Sequence, residues 1–416
     1  MIITIFATAL RDEARSRIKE IGQVDVLVGI PCYNNQRTVG YVINTVETGL
    51  RKYSPNKRSL IVVSDGGSTD DSREIAQDLP RSAGVERLVT IYRGLPGKGS
   101  SLRAVFEIGY ALRADVIIVV DSDLKSIVPE WIELLADPIL KGEYEFVAPY
   151  YTRHKYDGTI TKLLAYPLTR AIFGKRIRQP IGGEFGISRE LFDFYIKQDV
   201  WETDVAKYGI DIWLTITAIE QGVKICQSRL GTKVHTGREP TTLGPMFRQV
   251  AGTLFTLMAQ HEDKLYRIKE SDEVDFYGRA PKVEPEPIKV SVQDLIENFC
   301  LGFGHFSPLW REVLSEESFN EVESVFLSRD EFNFPSDLWA RVVYDFALNY
   351  KKWKKDKQKL VSMMTPLYYG RTASYILEAK DISMKKADQL IENQAQIFEE
   401  LKSYLVKRAT KLFEKA

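Results

Sequence analysis

The sequence predicts an α/β protein: a mainly parallel sheet covered by helices on both faces over residues 1–240, followed by an α-helical domain over 241–416. Three observations predict it. Five short runs rich in β-branched residues alternate with helix-period segments between residues 24 and 150. The runs are apolar at successive positions rather than alternate ones, as in strands buried on both faces. Beyond residue 240 the strand-like runs fade and the periodicity becomes helical, as in the long polar-faced stretch 384–415.

Residues 1–23 read as a short strand and an amphipathic helix. "VDVLVGIP" (24–31) is the first run and ends at a proline; "SLIVVSDGG" (59–67) is the second and ends in glycines. "ERLVTIYR" (86–93), "DVIIVVDSD" (115–123) and "YEFVAPY" (144–150) follow. The helix-period segments between them are 37–52, 69–79, 99–113 and 129–140. Residues 245–275 read as a helix and 276–290 as a proline-bearing linker. No internal repeat is visible.

Composition narrows the class. The chain has 416 residues, enough for two or three domains, with 44% hydrophobic and 27% charged residues, an ordinary soluble balance. Lys+Arg and Asp+Glu are 57 each, so net charge draws the chain neither to nucleic acid nor to membrane, and any anion site must be local. Cys32, Cys226 and Cys300 show no paired spacing, which argues against a zinc site or disulfide framework and fits a reducing cytoplasm. The opening "MIITIFATAL" has no basic flank before its short apolar run, so it is not read as a signal peptide. No stretch approaches the roughly 18 apolar residues of a spanning helix. The basic run "KKWKKDKQK" (351–359) reads as a solvated helix face.

In parallel sheets ligands bind at the carboxyl ends of the strands. The fourth run drives straight into Asp121 and Asp123. On a strand, residues i and i+2 share a face, so the two carboxylates are expected to aim together, with Ser122 turned away. Side by side they repel unless a cation joins them, and oxygen ligands suit Mg²⁺ or Mn²⁺. A plainer reading makes one a turn cap and the other solvated. Asp65 ends the second run before Gly66 and Gly67, either in a simple strand–turn–helix connection or as an acceptor for a base or ribose. "GLPGKGSSLRAV" (94–105) offers free backbone N–H groups at a helix start, with Lys98 as a point charge for a phosphate or sugar. Glu184 follows a Gly-Gly turn between two helical segments. Asp211 starts a helix that is apolar nearly all round, so it should be buried and need a partner. His235 follows a short apolar strand.

Taken in order, "VGIPCYNN" (28–35), "SDGGSTDDS" (64–72) and "DSD" (121–123) resemble the GT-A glycosyltransferase fold. "PGKG" (96–99), "QPIGGE" (179–184), "YGID" (208–211) and "KVH" (233–235) resemble the mannosylglycerate synthase and glucosyl-3-phosphoglycerate synthase families, over roughly residues 25–240. The resemblance implies that Asp123 and His235 bind a divalent cation, with Asp121 at the ribose and metal shell. It implies a nucleotide-sugar site at Pro31, Tyr33, Asp65, Gly97, Lys98, Asp121, Ser122, Gly183 and Glu184. Glu184 and Asp211 would grip the donor hexose, with Asp211, Glu184 and Lys98 as the catalytic set. "TRHKYDGTIT" (152–161) resembles the acceptor segment, through Arg153, Asp157 and Thr161. "HTGREP" departs from the family pattern after the histidine, and residues 1–23 have no counterpart in it.

The implied activity is metal-dependent, retaining transfer of glucose or mannose from a nucleoside-diphosphate sugar to D-glycerate, which makes a compatible solute in the cytoplasm. The helical domain would pair two copies or cover the acceptor. One alternative keeps the chemistry but uses 3-phosphoglycerate, with Lys155, Lys162, Arg170 and Lys175 available for its phosphate. A lipid-directed transferase is disfavoured by the absence of Q-x-x-R-W, and a sugar nucleotidyltransferase by the absence of a basic Gly-rich signature at the first strand. A non-catalytic nucleotide-sugar-binding protein is the last alternative.

Overall fold

A computed structural model describes residues 7–235, 239–281 and 284–413. Among these, the strands are β1 (Val26–Cys32), β2 (Ser59–Asp65), β3 (Val85–Ile91), β4 (Val116–Val119), β5 (Phe146–Thr152), β6 (Phe185–Ser188), β7 (Ile225–Thr232) and β8 (Asp275–Tyr277). They form one sheet in the order β3-β2-β1-β4-β6-β5-β7-β8. Only β6 runs antiparallel to its neighbours. The helices among the described residues are α1 (Asp12–Ile21), α2 (Val39–Tyr53), α3 (Ser72–Asp78), α4 (Lys98–Ala111), α5 (Glu130–Leu140), α6 (Tyr166–Phe173), α7 (Arg189–Tyr195), α8 (Ile210–Glu220), α9 (Gly244–Gln260), α10 (Glu262–Arg267), α11 (Val292–Val313), α12 (Glu316–Leu327), α13 (Ser336–Lys352), α14 (Lys357–Ala379), α15 (Met384–Glu400) and α16 (Lys402–Phe413).

The mainly parallel sheet and the helical remainder are as expected. The burial of β1 shows why its sequence is apolar throughout. Val26, Val28 and Ile30 join the core with residues of α2 and α5. Leu27 and Gly29 face α4: a Cβ on Gly29 would lie 2.4 Å from Val105 Cγ1. Both faces of the strand are therefore covered, and neither tolerates polar side chains.

The chain divides into two compact units. One takes the chain through Arg153 and adds Gln179–Thr236 and Val274–Glu286; the other comprises His154–Arg178, Gly237–Glu273 and the chain from Pro287 onward. A single cut at residue 240 does not describe this. The acceptor-like segment after Arg153 belongs to the helical unit, and β8 returns to the sheet unit. In the helical unit, the Trp310 and Trp339 indoles donate to the carbonyls of Met363 and Leu163. Buried Arg371 donates to Gln394, to the Phe334 carbonyl, to Ser336 and to Glu378.

Several elements differ from the sequence reading. The strand expected within residues 1–23 is not among the described elements, as residues 1–6 lie outside the described set, whereas its helix is α1. β6 and β8 are additional: four and three residues are too few to show a period. The helix expected over 245–275 is α9 and α10 followed by β8. The basic run lies at the junction of α13 and α14, and its lysines are exposed. β4 stops at Val119, so Asp121 and Asp123 lie in the turn beyond it and strand alternation does not align them.

β6 accepts α5 only because Gly186 has no side chain; a Cβ there would lie 2.1 Å from the Leu135 carbonyl oxygen. Gly186→Ala is expected to push α5 off the strand and destabilise the sheet unit by about 1–3 kcal/mol, the usual cost of overpacking, read as a fall in melting temperature.

Candidate active site

The carboxyl rim of the sheet gathers five charged side chains. Lys98 is the first residue of α4, and glycines flank it for a visible reason. The 204–206 turn lies against this helix start, and a Cβ would lie 2.6 Å from the Ala206 carbonyl at Gly97 and 1.8 Å from the Val205 carbonyl at Gly99. The Lys98 ammonium is 2.8 Å from Asp121 Oδ1 and 3.1 Å from Asp211 Oδ2, and it also reaches the Gly183 carbonyl. Asp211 stands in the first turn of α8, whose other residues are nearly all buried. The partner expected for a buried acid is thus Lys98. Its second oxygen, Oδ1, is buried with no hydrogen-bond partner.

Lys233, just past β7, is the second cation. Its ammonium donates to Asp121 Oδ2 at 3.1 Å, to both Glu184 oxygens at 2.9 Å and to the Gly182 carbonyl at 2.8 Å. Tyr151 donates a short hydrogen bond to Glu184 from β5. Its ring lies under both Lys233 and Arg153, 5.4 Å from each cationic centre. Arg153 also donates to the Gly182 carbonyl.

Burial and charge oppose one another here. Burial raises the Asp121 carboxyl, but Lys98 and Lys233 together outweigh it and hold Asp121 well below the usual carboxylate range. Glu184 is fully buried, and burial pushes it up to about 7 despite the nearby Lys233. Burial also raises Asp211, against the pull of Lys98. For Lys98, burial lowers and the carboxylates of Asp121 and Asp211 raise; the carboxylates prevail, so it stays charged. Burial drives the Tyr151 phenol well above its ordinary value, and Glu184 adds to the effect, so it remains a donor.

Beside this cluster, Asp123 Oδ2 lies 3.8 Å from His235 Nδ1, and an isolated bridge between Leu124 and His235 sets the two residues opposite each other. Among the described residues no group of three or more His, Cys, Asp or Glu is arranged to hold a metal ion. A pair fits Mg²⁺ or Mn²⁺, which take one or two protein ligands and fill the remaining positions with phosphate oxygens and water.

The glycosyl transferase family 2 model matches residues 27–195. Glucosyl-3-phosphoglycerate synthase of Mycobacterium tuberculosis (strain CDC 1551 / Oshkosh) is 30% identical over 253 residues, covering 56% of this chain and 72% of that protein. The synthase of Mycolicibacterium paratuberculosis is 29% identical, covering 56% and 71%. The chain belongs to the glycosyltransferase family that contains these synthases. It is an enzyme of nucleoside-diphosphate-sugar transfer. A crystal structure of the Mycobacterium tuberculosis enzyme in complex with Mn²⁺, UDP and glucosyl-3-phosphoglycerate matches with 27% identity and a TM-score of 0.44, covering 58% of this chain and 83% of that one. Another, in complex with Mg²⁺ and UDP, also matches with a TM-score of 0.44 and covers 58% and 83%.

In this glycosyltransferase the residues singled out in the sequence divide into three groups. Lys98, Asp121, Glu184 and Asp211 are brought into one cluster, and Asp123 meets His235. Gly183 borders the cluster at a φ of +98°, where a Cβ would lie 2.2 Å from Asp121 Oδ2. A second group shapes the loops that follow β1, β2 and β4. Asp65 is wholly buried, and its oxygens accept from the Gly67 and Ser68 N–H groups and the Ser68 hydroxyl. It therefore holds the turn. Ser122 donates to Asn35 and accepts from Thr38 through its carbonyl. Pro31 is buried in β1, while Tyr33 is exposed beside Gly66. The third group parts company: Arg153 closes a segment of the sheet unit, whereas Asp157 and the buried Thr161 belong to the helical unit.

Asp121 and Asp123 face different partners: the two Asp121 oxygens pair with Lys98 and Lys233, while Asp123 meets His235. Lys233 opens the "KVH" stretch, where the sequence gives it no role of its own, and a tyrosine within a strand carries no periodic signal; neighbours in space give both residues their meaning.

Since Glu184 binds its proton near pH 7 in the fold but at an ordinary carboxylate pH when unfolded, the native state holds the extra proton between about pH 4.5 and 7. Its contribution to stability therefore falls as pH rises through that window, by on the order of 3 kcal/mol in all. Glu184→Gln is expected to flatten the melting temperature against pH between 4.5 and 7, measured without ligands.

Proposed function

We propose that this glycosyltransferase moves a hexose from a nucleoside-diphosphate sugar to the hydroxyl of D-glycerate. The observation that carries the reading is the clamp of Lys98 and Lys233 on the buried carboxylates of Glu184 and Asp211 and the half-buried one of Asp121, beside the Asp123–His235 pair. A pocket of ionised and hydrogen-bonding groups with an unpartnered Asp211 oxygen suits a polyhydroxylated ring. The Asp123–His235 pair suits a divalent cation, which when bound neutralises the charge of the diphosphate.

The chain's own groups do the rest. Asp211 Oδ1 accepts from a donor-ring hydroxyl, and Lys98 keeps that carboxylate in place. Arg153 presents a planar cation to the acceptor carboxylate. The bond from the anomeric carbon to the phosphate oxygen breaks as the bond to the acceptor oxygen forms. The acceptor's proton passes to the departing diphosphate, with retained configuration. Holding the acceptor near the anomeric carbon removes the entropy cost of a bimolecular encounter.

Two acceptors compete. The relatives' name, glucosyl-3-phosphoglycerate synthase, favours the phosphorylated one. The cations once available for its phosphate favour plain glycerate, since each is engaged within the helical unit. The Lys155 ammonium donates to the carbonyls of Ala379, Lys380 and Ile382, and Lys162 to those of His154 and Lys155. Arg170 pairs with Glu392 and Glu399, and Lys175 with Asp272.

A grid of UDP-glucose, ADP-glucose, GDP-glucose and GDP-mannose against D-glycerate and 3-phosphoglycerate, with Mg²⁺ or Mn²⁺, tests the reading. Transfer to D-glycerate is expected, and the product names the hexose. Transfer to 3-phosphoglycerate alone would move the chain to the relatives' acceptor; transfer to neither would overturn the acceptor assignment. Asp157→Ala and Thr161→Val test the remaining acceptor residues through the acceptor KM.

Asp123→Asn should lower turnover by on the order of a hundredfold or more and weaken Mn²⁺ binding in the presence of UDP. Asp121→Asn should lose turnover but keep Mn²⁺ affinity, measured by calorimetry; a parallel loss of Mn²⁺ would return Asp121 to the cation.

A further inference from the structure

We infer that Lys233 is a positioning residue that assembles the hexose-facing wall of the site before the donor arrives; this rests on the donor-transfer reading above. The wall comes from three separate stretches of chain: Asp121 after β4, Gly182 to Glu184 before β6, and Tyr151 on β5. The ladder pairs β4 with β6 only as far as Val119 and Phe185, and beyond that point Lys233 touches all three stretches. Its ammonium has four acceptor contacts, to Asp121 Oδ2, Glu184 Oε1, Glu184 Oε2 and the Gly182 carbonyl, and it sits over the Tyr151 ring.

Two further observations separate this from ordinary packing. The side chain of Lys233 is only 5% exposed, yet it lies at the strand-end rim where ligands bind, not in the apolar core. A buried ion pair is a poor way to gain stability alone, since apolar residues of similar volume serve as well or better. Second, the backbone is shaped to let the contacts form. A Cβ at Gly183 would lie 2.2 Å from Asp121 Oδ2 and 3.1 Å from the Lys233 ammonium, and a Cβ at Gly182 would lie 2.1 Å from Pro149 Cγ. The Gly-Gly turn thus admits both the carboxylate and the ammonium.

With Lys233, two cations balance three carboxylates, and each acid keeps a fixed orientation. Without it, Lys98 is the one lysine left on Asp121 and Glu184, with Arg153 on the far side of the Tyr151 ring, and like charges separate or protonate. The hexose side of the pocket is then disordered, while the Asp123–His235 pair and the nucleotide-side loops, held by their own contacts, remain.

The test compares a ligand with and without the hexose. Wild type, Lys233→Met, Lys233→Arg and Tyr151→Phe are assayed for donor KM and kcat with UDP-glucose and GDP-mannose, and for inhibition by UDP and GDP alone. Lys233→Met is expected to raise the hexose-donor KM about tenfold or more and to lower kcat, as for loss of a charged hydrogen-bond partner, while the inhibition constant of the nucleoside diphosphate stays within about twofold. Lys233→Arg should recover part of the loss. Equal weakening of both ligands, or no change in either, would overturn the inference. Should Lys233→Met fail to fold, Tyr151→Phe decides: a donor KM raised about threefold or more at unchanged nucleoside-diphosphate inhibition supports the wall, and an unchanged KM overturns it. A wild type that transfers hexose while the variants lose no selectivity sinks Lys233 alone. A wild type that uses neither donor overturns both this inference and the functional reading.

Discussion

The rest of the site depends on one constraint: three carboxylates, two of them buried and one half-buried, gather at the rim of the sheet, and two lysines hold them there. Buried acids repel and neutralise unless a cation is close. Lys98 and Lys233 reach them from opposite directions in the sequence, one from the start of α4 and the other from the end of β7. Asp121 sits between them and stays ionised; Glu184 and Asp211, each with a smaller share of positive charge, are driven upward by burial. Unequal protonation within one cluster gives the site both firm acceptors and groups whose charge is easily altered.

The glycines serve this electrostatic arrangement more than they serve flexibility. Gly97 and Gly99 allow the 204–206 turn to touch the first turn of α4, which fixes where the Lys98 ammonium points. Gly183 lets Asp121 approach the backbone of the β6 leader. Charges are thereby placed by backbone contact, which is stiffer than side-chain packing. Preorganisation of this kind is what gives a polar site its advantage over water in stabilising charge as it develops.

Much of the sheet was legible because burial on both faces writes itself into the sequence: no polar residue interrupts 26–31 or 116–120, and the helices between carry a clear period. β6 and β8 were not legible, being too short for a period and, for β8, surrounded by prolines and charges that resemble a linker. The acids of the site were legible because each follows an apolar run or a glycine turn. Their division of labour was not. Asp121 and Asp123 are two residues apart and read alike, yet the end of β4 at Val119 sends one to the lysines and the other to His235. Asp65 read as a ligand for a base, while the fold uses its oxygens for the local turn. Lys233 lies in the "KVH" stretch, but its contacts come from side chains 49 and 112 positions away.

The interleaved path of the chain has a consequence for synthesis. The sheet unit is left after Arg153, resumed at Gln179, left again after Thr236 and finished only with Val274–Glu286. A ribosome delivering this chain from its N-terminus cannot release a complete sheet unit until β8 has emerged. By then the 154–178 segment, which belongs to the helical unit, has already been made and must wait for α11 to α16. The edge of β7 stays uncovered until β8 emerges, and the face of α6 that α15 covers stays open longer. The nascent chain is therefore most exposed to mispairing late in translation, when each unit has segments already made whose partners within that unit are not.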